Sequence, residues 1–228
     1  HVHATLSSDS AIRNEDRVAN MVAEDVQMLI STDHDMITDY WPTIDALNVR
    51  DRITTAPGQE ITTFDFGHFN GFPLPIDRAS PNNGALDWGS LSPEQIGDAV
   101  LINDDAIFQL NHPRAVPAPG ATGNYFNVID LQFDEIGPFA GPDSVDPTTI
   151  RLPLGTDLLT TNFGAMEVMT WLNVQGLHDW YNFLNAGIVF TATGNSDTHT
   201  LAVESSGWPR NYVRMGHDDP TAVTHADL

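Results

Sequence analysis

The sequence predicts a single α/β domain over residues 1–228, with strands that run mainly parallel. Three observations carry this. Stretches with helical spacing of apolar residues alternate with short apolar runs of strand length along most of the chain. His, Asp and Glu recur just past those runs, and α/β folds bind ligands at the carboxyl ends of their strands. At 228 residues and 41% hydrophobic composition, the chain suits one large domain with a sizeable core.

The elements follow in order. Residues 11–23 carry Ile12, Val18, Met21 and Val22 near helical spacing, and 26–30 reads as a buried strand running into Ser31-Thr32-Asp33-His34-Asp35. A helix over 41–47 precedes a strand over 53–56, which ends in Pro57-Gly58-Gln59-Glu60. Residues 68–72 form the next strand. Ser92 caps a helix that begins at Pro93 and runs to about Leu101. The strand 107–110 leads into Asn111-His112-Pro113-Arg114. A Pro-, Gly- and Asp-rich insertion loop spans about 115–155, with a helical stretch at 128–133. A strand over 165–169, a helix over 177–185 and a strand over 188–192 complete the pattern, the last running into Gly194-Asn195-Ser196-Asp197-Thr198-His199.

Composition removes several classes of function. Nine Lys+Arg against 31 Asp+Glu give a net charge of −22, and all nine cations are arginine. Binding to a nucleic-acid backbone or an anionic membrane needs a basic patch, so neither partner is expected. Without lysine there is no Schiff base and no carbamylated metal bridge. Zero cysteine excludes disulfides, thiolate ligands and thiol nucleophiles. No apolar run approaches the roughly 18 residues of a membrane span. The first residue is histidine with no signal-like segment, so the chain is expected to be a processed or excised piece of a longer one. The acidic surplus suggests an Asp-rich solvated exterior and a periplasmic or secreted setting rather than a cytoplasmic one.

Metal chemistry is the strongest local signal. His1 and His3 lie two apart, so on an extended strand both imidazoles face one cation. Asp197 and His199 repeat that spacing, while His34, Glu60, His68 and His112 come from other segments. Imidazole and carboxylate without thiolate form the donor set of a hydrolytic site for Zn, Mn or Fe, and Glu60 has two oxygens with which to bridge cations. Bland alternatives stand beside this. His68 or His112 alone reads as a hydrogen-bonded buried histidine, Asp9 as a helix cap, and Asp33 and Asp35 as loop carboxylates. Asp33 is expected to orient a ligand imidazole. His178, His217 and His225 read as surface residues. There is no Gly-x-Ser-x-Gly elbow, phosphate loop or dinucleotide fingerprint.

The ordered set His1-x-His3, Asp9, Thr32-Asp33-His34, Gly58-Gln59-Glu60, His68, His112-Pro113 and Ser196-Asp197-x-His199 resembles the PHP (polymerase and histidinol phosphatase) superfamily. Residues 67–74, Asn111-His112-Pro113-Arg114 and 209–213 look like its CehA/McbA branch, named for carbaryl hydrolases. The resemblance implies a distorted (β/α)7 barrel with two or three divalent metal ions. Carried over, His1, His3, Glu60 and Asp197 hold the first, Glu60, His68 and His112 the second, and Asp9, His34 and His199 the third. A complete ligand set favours an enzyme over members that serve only as structural domains.

The expected reaction is hydrolysis of a small-molecule phosphoester or carbamate/carboxylic ester by a metal-bridging hydroxide. Arg114 is placed to hold a substrate oxygen, with a salt bridge as its alternative; Arg210 is a second candidate, and Asp33 is a candidate for moving protons. The rival function is a non-catalytic metal-binding or interaction module of a larger extracellular protein.

Overall fold

Helix α1 (Asn14–Ala23) turns Val18 and Met21 inward, and α2 (Trp41–Leu47), with Pro42 in its first turn, buries Thr43 and Ile44. Asn48 ends α2 in the left-handed region at φ 53°, a conformation asparagine tolerates. Strands β1 (Met28–Ile30) and β2 (Thr54–Ala56) pair in parallel, Met28 opposite Thr54 and Ile30 opposite Ala56. Val2, Ala4, Leu29, Tyr40, Ile44 and Ile53 join Val18 and Met21 in one apolar cluster between these elements. The computed structural model describes residues 1–115, 123–133, 150–151, 158–170 and 173–227.

The remaining strands, in chain order, are β3 (Gln59–Thr62), β4 (His68–Phe72), β5 (Ile107–Leu110), β6 (Gln132–Phe133), β7 (Ile150–Arg151), β8 (Ala165–Met169) and β9 (Thr191–Gly194). Helices α3 (Pro93–Leu101), α4 (Tyr125–Val128) and α5 (Gln175–Asn185) lie among them. One sheet runs β3-β4-β5-β8-β9, and β6 and β7 form a separate antiparallel pair. Period-two alternation sorts the faces of the sheet. Phe108 and Leu110 of β5 and Met166 and Val168 of β8 pack with Ile96 and Val100 of α3 and Phe183 of α5. The intervening Gln109 and Glu167, with Thr193 and Asn195, hydrogen-bond to one another on the other face. Gly176 lets α5 approach β8 closely: a Cβ there would lie 2.5 Å from the Glu167 carbonyl oxygen.

The sheet is mixed, a departure from the expected parallel arrangement. β3–β4 and β4–β5 are antiparallel, whereas β5–β8 and β8–β9 are parallel. Only a few residues join β3 to β4, enough for a hairpin but too few for the crossover that parallel strands need. Single parallel bridges join His34, in the turn after β1, to Glu60 of β3, and Val2, in the amino-terminal segment, to Thr198 after β9. Among the described residues, no closed barrel is found, and the expected (β/α)7 arrangement is not shown.

Three local expectations also shift. Glu60 lies inside β3 rather than past a strand end, because the chain becomes extended again after Gly58, where a Cβ would lie 2.6 Å from the Gly71 carbonyl oxygen. The helix expected over 128–133 is the earlier α4, which buries Tyr125 and Phe126, while 132–133 are β6; much of the 115–155 insertion lies outside the described residues. The strand expected from 188 begins at Thr191, since Gly187 turns the chain at φ 80°. Ser92 caps α3 as expected, and Gln95 completes a reciprocal cap with it.

Candidate metal centre

All nine expected ligands meet at one place, delivered by the amino-terminal segment, the turns after β1 and β9, strand β3, the start of β4 and the turn after β5. Glu60 is at the centre, 1% exposed. Its Oε1 lies 3.2 Å from His1 Nε2, 3.3 Å from His68 Nδ1 and 3.4 Å from His112 Nε2. Its Oε2 lies 2.9 Å from His34 Nδ1 and 3.3 Å from His3 Nε2. Asp197 Oδ1 is 3.1 Å from both His1 Nε2 and His3 Nε2, and Asp9 Oδ2 is 3.0 Å from His34 Nε2 and 3.1 Å from His199 Nε2.

Three groups have ligand atoms mutually within 4.8 Å: His1, His3 and Asp197; Glu60, His68 and His112; and His3, Asp9, His34 and His199. They differ from the expected partition in two ways: Glu60 falls with His68 and His112 but not with His1, His3 and Asp197, and His3 reaches the third group as well as the first. Its ring stacks on His199 at 4.1 Å between centroids and on His34 at 4.5 Å. His1 Nε2 and Glu60 Oε2 are buried without a hydrogen-bond partner although charged neighbours stand close by. Each lies within 3.3 Å of two further imidazole or carboxylate atoms, a donor set that suits a cation.

The electrostatics follow from burial and mutual charge. Burial opposes ionisation of Glu60, but His1, His112 and His34 hold its carboxyl well below the usual range; Asp197 is likewise held down by His1 and His3 against burial. Burial works against a proton on His1, yet Asp197, Glu60 and Glu167 hold its pKa well above the ordinary value. His34, against burial, is pushed up to about 9 by Glu60 and Asp9, and His112 is raised by Glu60 and Asp197. His3 is lowered to about 4 by burial, against the pull of Asp197 and Glu60. Without a cation, protons on the imidazoles balance the carboxylates; a bound cation replaces those protons. Two ligand residues adopt left-handed backbone, His112 at φ 23° and Asp197 at φ 49°, strain of the kind that concentrates at functional sites.

Other expected residues sit differently. Asp33 is fully buried, and its carboxylate accepts from the Ala4 N–H at 2.7 Å and from the Thr38 hydroxyl. It fixes the backbone after His3 and contacts no imidazole, which corrects the orienting role expected of it. Arg114 takes the salt-bridge alternative: its Nε donates to Asp179 at 2.7 Å and its Nη2 to the Leu131 carbonyl at 2.8 Å. Arg210 donates to the Glu24 carbonyl at 2.6 Å, away from the cluster. His178 and His217 are exposed, as expected; the side chain of His225 lies outside the described residues.

Sequence reasoning missed two supporting residues. Glu167, 1% exposed, accepts from Asn195 at 2.9 Å and shares a 2.8 Å hydrogen bond with His1 Nδ1. Its signal was a carboxylate in the middle of an apolar strand. Arg17, fully buried, donates to the carbonyls of His3, Thr198 and Thr200 at 3.0, 3.1 and 3.2 Å, tying both ligand-bearing segments together. Its position four residues before Met21 puts it on the inward face of α1.

No protein-family model and no curated protein sequence matches the chain. Solved structures do. A two-domain protein containing a predicted PHP-like metal-dependent phosphoesterase from Bacteroides vulgatus aligns over 87% of this chain and 50% of its own, at 19% identity and a TM-score of 0.47. The chain thus spans half the length of that protein. PsfC from Pseudomonas syringae aligns over 88% of this chain and 75% of its own, at 14% identity and a TM-score of 0.50. The fold is shared with PsfC.

Proposed function

We propose that this chain is a metal-dependent hydrolase of the PHP type, in which nine imidazole and carboxylate side chains hold two or three divalent cations. One observation carries the reading: a buried glutamate, Glu60, with five imidazoles at 2.9–3.4 Å and an oxygen that no hydrogen bond satisfies. Such a donor set fits Zn, Mn or Fe. When bound, these cations supply Lewis acidity and lower the pKa of water toward neutrality.

The chain's own residues do the rest. Glu60 bridges the groups and keeps them at fixed separation. Asp197 binds between His1 and His3, and Asp9, 47% exposed at its side chain, forms the open edge from which a substrate approaches. The charge of −22 favours a substrate of low negative charge, which places a carbamate, a carboxylic ester or a phosphodiester ahead of a phosphomonoester dianion. Residues 67–74 and 111–114 support the CehA/McbA branch, and the Asp-rich composition supports a periplasmic or secreted setting.

The test is elemental analysis followed by a panel of p-nitrophenyl phosphate, a phosphodiester, a carboxylic ester and an aryl carbamate, each with Zn, Mn or Fe. At least two metals per chain and turnover that a chelator abolishes are expected. Fewer than two metals, or no turnover by fully loaded protein, points to the non-catalytic module instead.

A further inference from the structure

Glu167 contacts the metal centre from behind. Its Oε1 lies 2.8 Å from His1 Nδ1, the ring nitrogen opposite the one that faces Glu60 and Asp197. The same oxygen accepts from Asn195 Nδ2 at 2.9 Å and Gln109 Nε2 at 3.4 Å. Its Oε2 accepts the backbone N–H of His112 at 2.7 Å, and His112 is the ligand whose backbone sits at φ 23°. The β8–β9 register shifts between Glu167 and Met169, a bulge-like irregularity of the kind that re-aims a side chain. One buried carboxylate therefore touches a ligand of the first group by side chain and a ligand of the second by backbone.

We propose that Glu167 is a positioning residue for both groups, fixing the His1 ring with its proton on Nδ1 and clamping His112 in its left-handed turn. The inference rests on the metal-hydrolase reading and extends it to a residue that ligates nothing. Hydrogen-bond chemistry explains why a carboxylate is required. All its contacts are donors, and a glutamine can accept on one side only. With its amide nitrogen toward His112, donor meets donor; with that nitrogen toward His1, Nδ1 must accept and the proton moves to Nε2, the nitrogen needed for the cation. The Glu167→Gln change preserves shape and volume while defeating one of the two tasks in either orientation.

The experiment is zinc titration of the purified chain against a chromogenic chelator, comparing wild type, Glu167→Gln and the control Asp179→Asn, whose carboxylate pairs with Arg114 instead. Loss of affinity by about 10- to 100-fold is expected for Glu167→Gln at the site whose ligand, His1 or His112, the amide nitrogen faces, with little change for the control. Wild type that binds no zinc defeats the hydrolase reading itself. Wild type that binds zinc, with Glu167→Gln equally tight at every site, defeats this proposal alone. Should Glu167→Gln not fold, long-range proton–nitrogen NMR of zinc-loaded wild type decides: His1 protonated on Nδ1 supports the assignment, and His1 protonated on Nε2 overturns it.

Discussion

Replacing Glu60 by glutamine tests the core of the metal reading, because it changes one charge and almost no volume. The carboxylate belongs to the second group and also lies 3.2 and 3.3 Å from His1 and His3 of the first. With glutamine, the second group falls from three strong donors to His68 and His112, while the first keeps His1, His3 and Asp197. Loss of a hydrogen bond that merely orients a ligand costs about 10- to 100-fold in metal affinity. Loss of the ligand's own charge costs more, so at least about 100-fold, or ~2.7 kcal/mol, is expected at the second group. The first group should weaken less, which makes the damage unequal and diagnostic. Competition against a chromogenic chelator with zinc, in parallel with His217→Ala on the exposed surface, reads both effects. Retention of affinity within about tenfold by Glu60→Gln, or equal losses in the two variants, would refute the assignment of Glu60 as the shared ligand.

Four further outcomes are expected. At pH 7 an ordinary histidine is about one-quarter protonated, whereas His34 at about 9 is almost fully so, and His1 and His112 are raised as well; zinc binding should release about two to three protons, measured by calorimetry in buffers of different ionisation enthalpy, and release below about one contradicts the charge balance described. By the same linkage, the raised pKa of His34 stabilises the metal-free fold below about pH 6.5 and that contribution fades as pH climbs toward 9, while the depressed Glu60 and Asp197 stabilise it above the ordinary carboxylate range and are lost in strong acid, so urea midpoints should fall at both ends. Arg17→Met removes the guanidinium's hydrogen bonds to three carbonyls and should destabilise the metal-free chain by about 1.5 to 3 kcal/mol in urea titration; a loss under about 1 kcal/mol contradicts its role as the tie between the His1–His3 and Asp197–His199 segments. Sodium chloride should raise the thermal midpoint by screening the net charge of −22, and a midpoint that is flat or falling with salt contradicts a surface dominated by self-repulsion.

Much of this protein was legible in its residues. The i, i+2 pairs His1/His3 and Asp197/His199 are local facts of spacing, and the ends of α2, α3, β4 and β5 follow from apolar periodicity, Pro42, Pro93 and the Ser92 cap. Lysine-free, cysteine-free composition alone restricted the donors to imidazole and carboxylate. Supporting residues were harder to read. Arg114 pairs with Asp179, 65 positions away, so nothing near it in sequence could tell substrate contact from ion pair. Asp33 holds the Ala4 amide across 29 positions, and Glu167 reaches His1 across 166.

Short-range spacing thus sets which side chains are available for chemistry and roughly where each strand and helix lies. Long-range packing sets the direction of β4 in the sheet, the placing of Glu60 at the centre of five histidines and the service of His3 to two groups. Those outcomes depend on which strands pair and in what register. Pairing is settled by burying apolar faces and satisfying backbone hydrogen bonds across the whole chain, and no window of neighbouring residues contains that information.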